Sequence, residues 1–362
     1  MPNSKLNEIV SHFKMTGDVE SILPLGKGLI NDTYKVVTRK NDTPNYVLQR
    51  INDKVFTNVS LLQRNVDIVT RHIRKKLEEE GEKDIDRKVL TFVQTDAGNN
   101  YLQASDDTYW RMSLFIERAH TYEAVNPSSS KSAGLAFGRF ESMLSDLSEP
   151  LGETIPGFHD MELRLKQFDE ALNADKMQRR SGVQSMVDEL KSFAYDMCKA
   201  EWLHREGLLP KRVCHCDTKV NNMMFDDEGN VLLVIDLDTV MSSYVFSDYG
   251  DFLRTAANSV AEDEKNLSKV AFRMDIFKAF TEGYIQSTRN FLLPVEKENL
   301  PYAAALFPYM QSVRFLTDYL NGDVYWKTQY PEHNLTRATN QLKLFHSVKE
   351  HEQEMANFIR NC

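Results

Sequence analysis

An aspartate, a lysine and an asparagine stand close together in His215-Cys216-Asp217-Thr218-Lys219-Val220-Asn221-Asn222. A further aspartate, Asp236, closes the apolar run Val231-Leu232-Leu233-Val234-Ile235. These residue types suit phosphoryl transfer. An alcohol attacking a phosphoryl group must be aligned and its proton accepted late, and a carboxylate such as Asp217 can do both. Magnesium is a hard cation that takes oxygen ligands, so the amide oxygen of Asn222 and the carboxylate of Asp236 suit it. Lys219 is placed to offset charge on the group in flight. Taken alone, an aspartate before a threonine reads as a turn or a cap. The order Asp217, Asn222, Asp236, with the turn Asp226-Asp227-Glu228-Gly229-Asn230 between, is that of a kinase catalytic loop followed by a metal-binding aspartate.

The same segment offers a different metal reading, through Cys214, His215 and Cys216. Neighbouring residues of an extended strand face opposite ways, so these three do not converge on one ion without a sharp bend. Two small buried cysteines flanking a structural histidine is the simpler reading, with His215 hydrogen-bonded inward to hold the loop.

The elements around this loop fall into two parts. Residues 19–50 read as strands with a bend at Gly26 and Gly28, and Val55, Val59, Leu62, Val66, Val69, Ile73 and Leu77 recur at helical spacing. Strands return over 89–116 as VLTFVQT, NNYLQA and YWRMSLFI. From Ala136 onward the period is helical, with Phe140, Met143 and Leu147 on one face, and residues 162–205 and the stretch after Glu262 continue it. The expectation is an α+β, two-lobed chain. A small β-rich N-terminal lobe with one main helix (1–117) binds nucleotide and ends in a hinge. A larger, mostly helical lobe (118–362) carries the catalytic and acceptor-binding residues. In such a plan Gly26, Lys27 and Gly28 cover the nucleotide phosphates, and the backbone of Phe115, Ile116 and Glu117 holds the adenine. An ordinary β-turn and an ordinary strand end are the bland alternatives.

Composition bounds the partners. A net charge of −9 argues against broad nucleic-acid binding and against an anionic membrane surface. Four cysteines without paired CxxC spacing point to a reduced, cytoplasmic protein. No run approaches the roughly 20 apolar residues of a membrane span, and MPNSKLNEIVSHFKM lacks the apolar core of a signal peptide.

HCDTKVNN with VIDLD resembles the aminoglycoside phosphotransferase and choline kinase superfamily, whose fold is protein-kinase-like. More closely, the chain is similar to the bacterial N-acetylhexosamine 1-kinases over roughly residues 20–345. The resemblance is carried by GKGLINDTY, YVLQRIN, WRMSLFIE, HCDTKVNNMMF, IDLDTVM, DYGDFLR and the more diagnostic RFLTDYLNGDVYWKTQYPEHNLTR. It implies ATP and Mg²⁺ as cofactors, and phosphorylation of the anomeric hydroxyl of a neutral amino sugar. It implies Asp217 as base, Asn222 and Asp236 as magnesium ligands, and Arg314, Tyr325 and Asn31 at the sugar. Arg314 and Tyr325 otherwise read as surface salt bridging and core packing. Asp248 and Asp251 are expected to brace the catalytic loop, with Arg254 paired to one of them. The chain departs from protein kinases in having Gln49 at the position of the strand lysine, and Asp67 but no glutamate on the following helix. The hexosamine kinases share that glutamine, which leaves open which cation meets the α- and β-phosphates; Lys27 is a candidate. A kinase for homoserine, choline or an aminoglycoside, and a nucleotide-binding pseudokinase, are the competing readings. Retention of Asp217, Lys219, Asn222 and Asp236 speaks against the last.

Overall fold

The computed structural model describes residues 3–26, 30–39, 43–122 and 125–362. Along the chain run α1 (Asn3–Ser11), β1 (Val19–Pro24), β2 (Asp32–Thr38), β3 (Tyr46–Ile51), α2 (Val59–Glu79), β4 (Phe92–Val93), β5 (Leu102–Gln103) and β6 (Tyr109–Leu114). There follow α3 (Pro127–Leu144), α4 (Met161–Ala174), α5 (Gln184–Met197), α6 (Lys199–Arg205), β7 (Arg212–Cys214), β8 (Met223–Phe225), β9 (Val231–Val234) and β10 (Met241–Ser243). The chain closes with α7 (Val245–Ala256), α8 (Met274–Thr288), α9 (Pro294–Glu298), α10 (Leu300–Asn321), α11 (His333–Glu350) and α12 (Glu352–Asn361). The class is α+β, with a small antiparallel sheet in one unit and helices dominating the other. Met1–Thr121, Asp146–Pro156 and Met223–Met241 make the first compact unit; Tyr122–Ser145, Gly157–Asn222 and Ser242–Cys362 make the second.

In the first unit the strand order is β1-β2-β3-β6-β4, with β5 pairing β6. Alternation sorts the sheet into two faces. Tyr46 and Leu48 of β3, Val36 of β2, and Trp110 and Met112 of β6 form a core with Leu6, Ile9 and Val10 of α1 and with Phe13 just beyond it. The other face holds the polar row Thr33, Gln49 and Arg111, paired in register across β2, β3 and β6. The expected helix begins later than its apolar period. Val55 and Phe56 donate their N–H groups to Asn52 in a turn, and the Asn58 side chain caps α2 by accepting from Leu61 N. VLTFVQT forms only a two-residue strand, Phe92–Val93, and α1 arises where no element was expected.

The second unit is built on α10, whose 22 residues are buried almost all round. α3 and α8 cross through glycines. A Cβ on Gly134 would lie 2.1 Å from the carbonyl oxygen of Phe280, and one on Gly283 would lie 2.2 Å from that of Lys131. Among the described residues no helix is long and apolar enough to cross a membrane.

Candidate active site

In the second unit the loop of residues 215–222, the candidate catalytic loop, hangs from α7. Asp248 accepts the backbone N–H of His215 at 2.7 Å and that of Cys216 at 2.7 Å, one on each carboxylate oxygen. Asp251, one turn on and so on the same face of the helix, accepts from Thr218 N at 3.1 Å. The Thr218 hydroxyl donates back to the Asp248 carbonyl at 2.7 Å. Arg254 pairs with Asp251 at 3.1 Å and with Glu262 at 3.2 Å. Cys216 takes φ of +63°, a left-handed backbone that a side chain resists and surrounding contacts must hold. His215 is fully buried between the rings of Phe137 and Phe140, and its Nδ1 accepts the Asp217 N–H at 3.3 Å.

Asp217 is thereby presented at the loop's crest. Lys219 Nζ lies 2.6 Å from its Oδ1, and Asn222 Nδ2 donates to its Oδ2 at 3.2 Å and to its backbone oxygen at 2.8 Å. Burial pushes the Asp217 carboxyl up, but the Lys219 charge and hydrogen bond outweigh it, and the net shift is downward. Burial pulls the Lys219 ammonium down, but the charges of Asp217 and Asp251 carry it above its ordinary value. Asn222 uses its amide nitrogen on Asp217, so the atom it has for a cation is Oδ1, a ligand type magnesium accepts.

Behind the loop, Glu141, Cys214 and Asp248 bring one carboxylate or sulfur atom each within 4.8 Å of one another. Burial, then the neighbouring Asp248 charge, pushes the Glu141 carboxyl well up, and it accepts from the Tyr284 hydroxyl at 2.6 Å. Burial likewise raises the Cys214 thiol, which donates to Tyr244 O at 3.2 Å. Both shifts favour the protonated forms, whereas a cation would need charge.

Arg314 projects from α10 between the rings of Phe158, 5.4 Å away, and Trp326, 5.2 Å away. It donates to Gln311 at 2.7 Å. Burial, then the like charge of Arg164, pushes its guanidinium down to about 10. Arg164 is itself committed to the carbonyls of Gly157 and Phe158 and to Gln167. Tyr325 is 61% exposed, its ring edge-on to Trp326 at 4.6 Å. The loop bearing Tyr325 is gathered by Asp318, which sequence reasoning missed. Its carboxylate accepts from Val324 N at 3.0 Å, Tyr325 N at 2.8 Å and Trp326 N at 3.1 Å. The available signal was an acid in the last turn of a helix, where the dipole disfavours it unless it serves another purpose.

The first unit holds the remaining nominees. Asp236 follows β9 with φ of +59°. Gln49 accepts from Arg111 Nε at 3.0 Å and donates to Thr33 Oγ1 at 3.3 Å. Asn31, expected at the sugar, donates to Asp238 at 2.7 Å and accepts from Asn52 N at 3.0 Å. Gly26 takes a positive φ of 71°; Lys27 and Gly28 lie outside the described residues. At the end of β6, Phe115 donates its N–H to Asn45 O at 2.9 Å and lies under the Lys35 ammonium. Ile116 is buried, and Glu117 accepts from Asn45 Nδ2 at 2.7 Å.

The family model for the phosphotransferase enzyme family, APH, matches residues 21–274. Among solved structures the chain is similar to an aminoglycoside phosphotransferase from Alicyclobacillus acidocaldarius, at 12% identity and a TM-score of 0.63, covering 98% of this chain and 96% of that one. It is similar to an amicoumacin kinase in complex with AMP-PNP, Ca²⁺ and Ami, at 14% identity, a TM-score of 0.59 and coverage of 98% and 94%. It is also similar to a Plasmodium vivax ethanolamine kinase, at 13% identity, a TM-score of 0.52 and coverage of 90% and 83%. At such identities these likenesses establish the fold.

Proposed function

The chain belongs to the phosphotransferase enzyme family, and from that premise we propose that it is an ATP-dependent kinase of N-acetylhexosamines, forming the 1-phosphate of N-acetylglucosamine or N-acetylgalactosamine. In this reading Asp217 aligns the anomeric hydroxyl and takes its proton. The sugar oxygen forms a bond to the γ-phosphorus as the bond from that phosphorus to the β,γ-bridging oxygen breaks, and ADP leaves. Lys219 faces the transferred group once Asp217 has turned to the acceptor. Asn222 and Asp236 are the ligands proposed for magnesium, which when bound supplies charge neutralisation on the phosphates. The amicoumacin kinase in complex with AMP-PNP and Ca²⁺ supports that choice of cofactor class.

The observation that carries the acceptor class is the surroundings of Arg314. It feels the charge of Asp251, which in turn feels Asp217, so Arg314 and the proposed base share one electrostatic neighbourhood of the second unit. Its neighbours are the rings of Phe158 and Trp326, Tyr325, and the cations Arg164 and Arg254, and the carboxylate it feels, Asp251, is already paired to Arg254. An amino alcohol or aminoglycoside needs carboxylates around its ammonium groups, whereas a neutral sugar with an acetamide carbonyl suits an arginine donor and aromatic walls. Tyr325 and Asn31 complete the proposed sugar-binding set, and Gly26, Lys27, Gly28, Gln49, Phe115, Ile116 and Glu117 the nucleotide set. The test is ATP-dependent turnover on N-acetylglucosamine, N-acetylgalactosamine, glucose, galactose, homoserine, choline and kanamycin, with Asp217→Asn as control. Turnover confined to the N-acetylhexosamines and lost in the variant is expected. Turnover on choline, homoserine or kanamycin alone would keep the catalytic assignment and overturn the acceptor.

A further inference from the structure

Asp238 stands two residues past the proposed magnesium ligand Asp236, and both its oxygens are engaged within the first unit. Oδ1 lies 2.6 Å from Arg111 Nη1, as an ion pair not aimed along a hydrogen-bond axis, and Oδ2 accepts from Asn31 Nδ2 at 2.7 Å. The two charged side chains are only 4% and 3% exposed. Arg111 is fixed in turn through the polar row on the sheet, donating to Gln49, which reaches Thr33. Asn31 is fixed by the Asn52 N–H just past β3. The turn that puts Asp236 in a left-handed conformation is therefore fastened, through Asp238, to three strands and to the end of the glycine-containing bend.

A buried ion pair is weak evidence for stability and better evidence for specification of one geometry. A non-glycine residue at φ of +59° persists only where neighbours over-determine it. With both oxygens taken, Asp238 is a holder and not a ligand. Gln49 carries no charge, and among the described residues the buried cation on this face of the sheet is Arg111, one strand over from where a kinase lysine stands. We propose that Arg111, assisted by Asn31, is a positioning residue that acts through Asp238 to aim the Asp236 carboxylate at the divalent cation. The inference rests on the reading of Asp236 as a metal ligand.

The experiment is calorimetric titration of ADP into the full chain, without metal and across a Mg²⁺ series, for wild type, Arg111→Met, Arg111→Lys, Asp238→Asn, Asn31→Ala and Asp236→Asn. The expected result is unchanged metal-free ADP affinity. The half-saturating Mg²⁺ should rise about tenfold or more in Arg111→Met and Asp238→Asn, as for loss of a residue that orients a metal ligand. Arg111→Lys should restore part of it. Asn31→Ala leaves no buried charge unpaired, so it reports the same shift, smaller, even where the charge variants fail to fold. Loss of metal-free ADP affinity with an unchanged Mg²⁺ midpoint would make Arg111 a phosphate contact and overturn the proposal, as would folded variants that match wild type throughout. If Asp236→Asn itself keeps the wild-type Mg²⁺ dependence, the fault lies in the metal-ligand reading and not in the clamp.

Discussion

Asp217 is held ionised by its own loop. Burial opposes the charge, but Lys219 and Asn222 hold it, so its protonation lies below the ordinary 3.8. A weak base in the role proposed for Asp217 fits a loose transition state in which the attacking oxygen keeps its proton until late. The profile of kcat/KM should then show no acid limb from this group between about pH 7 and pH 5, and a limb near neutrality would contradict that account. Asp217→Asn should lower kcat by about 10²–10⁴-fold while leaving ADP·Mg²⁺ binding in place. A second carboxyl behaves oppositely. Glu201 is 8% exposed, accepts from Met161 N at 2.7 Å, and burial raises it to about 7. Its folded value lies above the unfolded one, so the native state binds the extra proton. Its contribution is fully present below pH 4.5 and is lost as pH rises through about 7. Glu201→Gln should therefore flatten the fall in stability across that window, by at most about 3 kcal/mol. Urea unfolding at both ends of the window checks it; equal variant effects at the two ends would contradict it.

Elements place these side chains, and two junctions matter most. Where α3 and α8 cross, a methyl on Gly134 would meet a backbone carbonyl at 2.1 Å, which no rotamer relieves. Gly134→Ala should cost about 3 kcal/mol, overriding its gain of about 1 kcal/mol in helix propensity. Gly182 has nothing within 4 Å of its added Cβ, and Gly182→Ala should stay within about 0.5 kcal/mol of wild type. Chemical denaturation of the pair decides it, and equal effects would refute the close crossing. At the end of α10, Asp318 holds three backbone N–H groups of the loop bearing Tyr325. Asp318→Ala should raise the acceptor KM with the ATP KM unchanged; a parallel rise in both would refute a role confined to that loop. These junctions mark the edge of what sequence periodicity carries. The stripe from Val59 to Leu77 foretold α2, because an amphipathic helix writes its face into spacing. α1 is too short, and the Phe92–Val93 strand too brief, for a period to emerge from their surroundings. The contacts of Gly134 are long-range and leave no local mark.

For the whole molecule, the linear motif hides a division. Asp217 and Asn222 belong to the helical unit, while Asp236 belongs to the sheet unit, which the chain re-enters at Asp146–Pro156 and Met223–Met241. Residue types and their order made the phosphotransferase family legible. They could not disclose Arg111, which in WRMSLFIE reads as one more strand residue, because a buried ion pair between residues distant in sequence has no spacing to read. Nor could they show that Asn31 holds Asp238. The proposed reaction is transfer to the anomeric oxygen of an N-acetylhexosamine with Asp217 as base. The most direct test is ³¹P NMR of the product formed from ATP and N-acetylglucosamine, beside its 1-O-methyl glycoside and the Asp217→Asn enzyme. The expected spectrum shows a phosphate coupled to the anomeric proton, no product from the methyl glycoside, and from the variant only the slow formation left by a kcat about 10²–10⁴-fold lower. A phosphate on any other hydroxyl, or phosphorylation of the methyl glycoside, would contradict it.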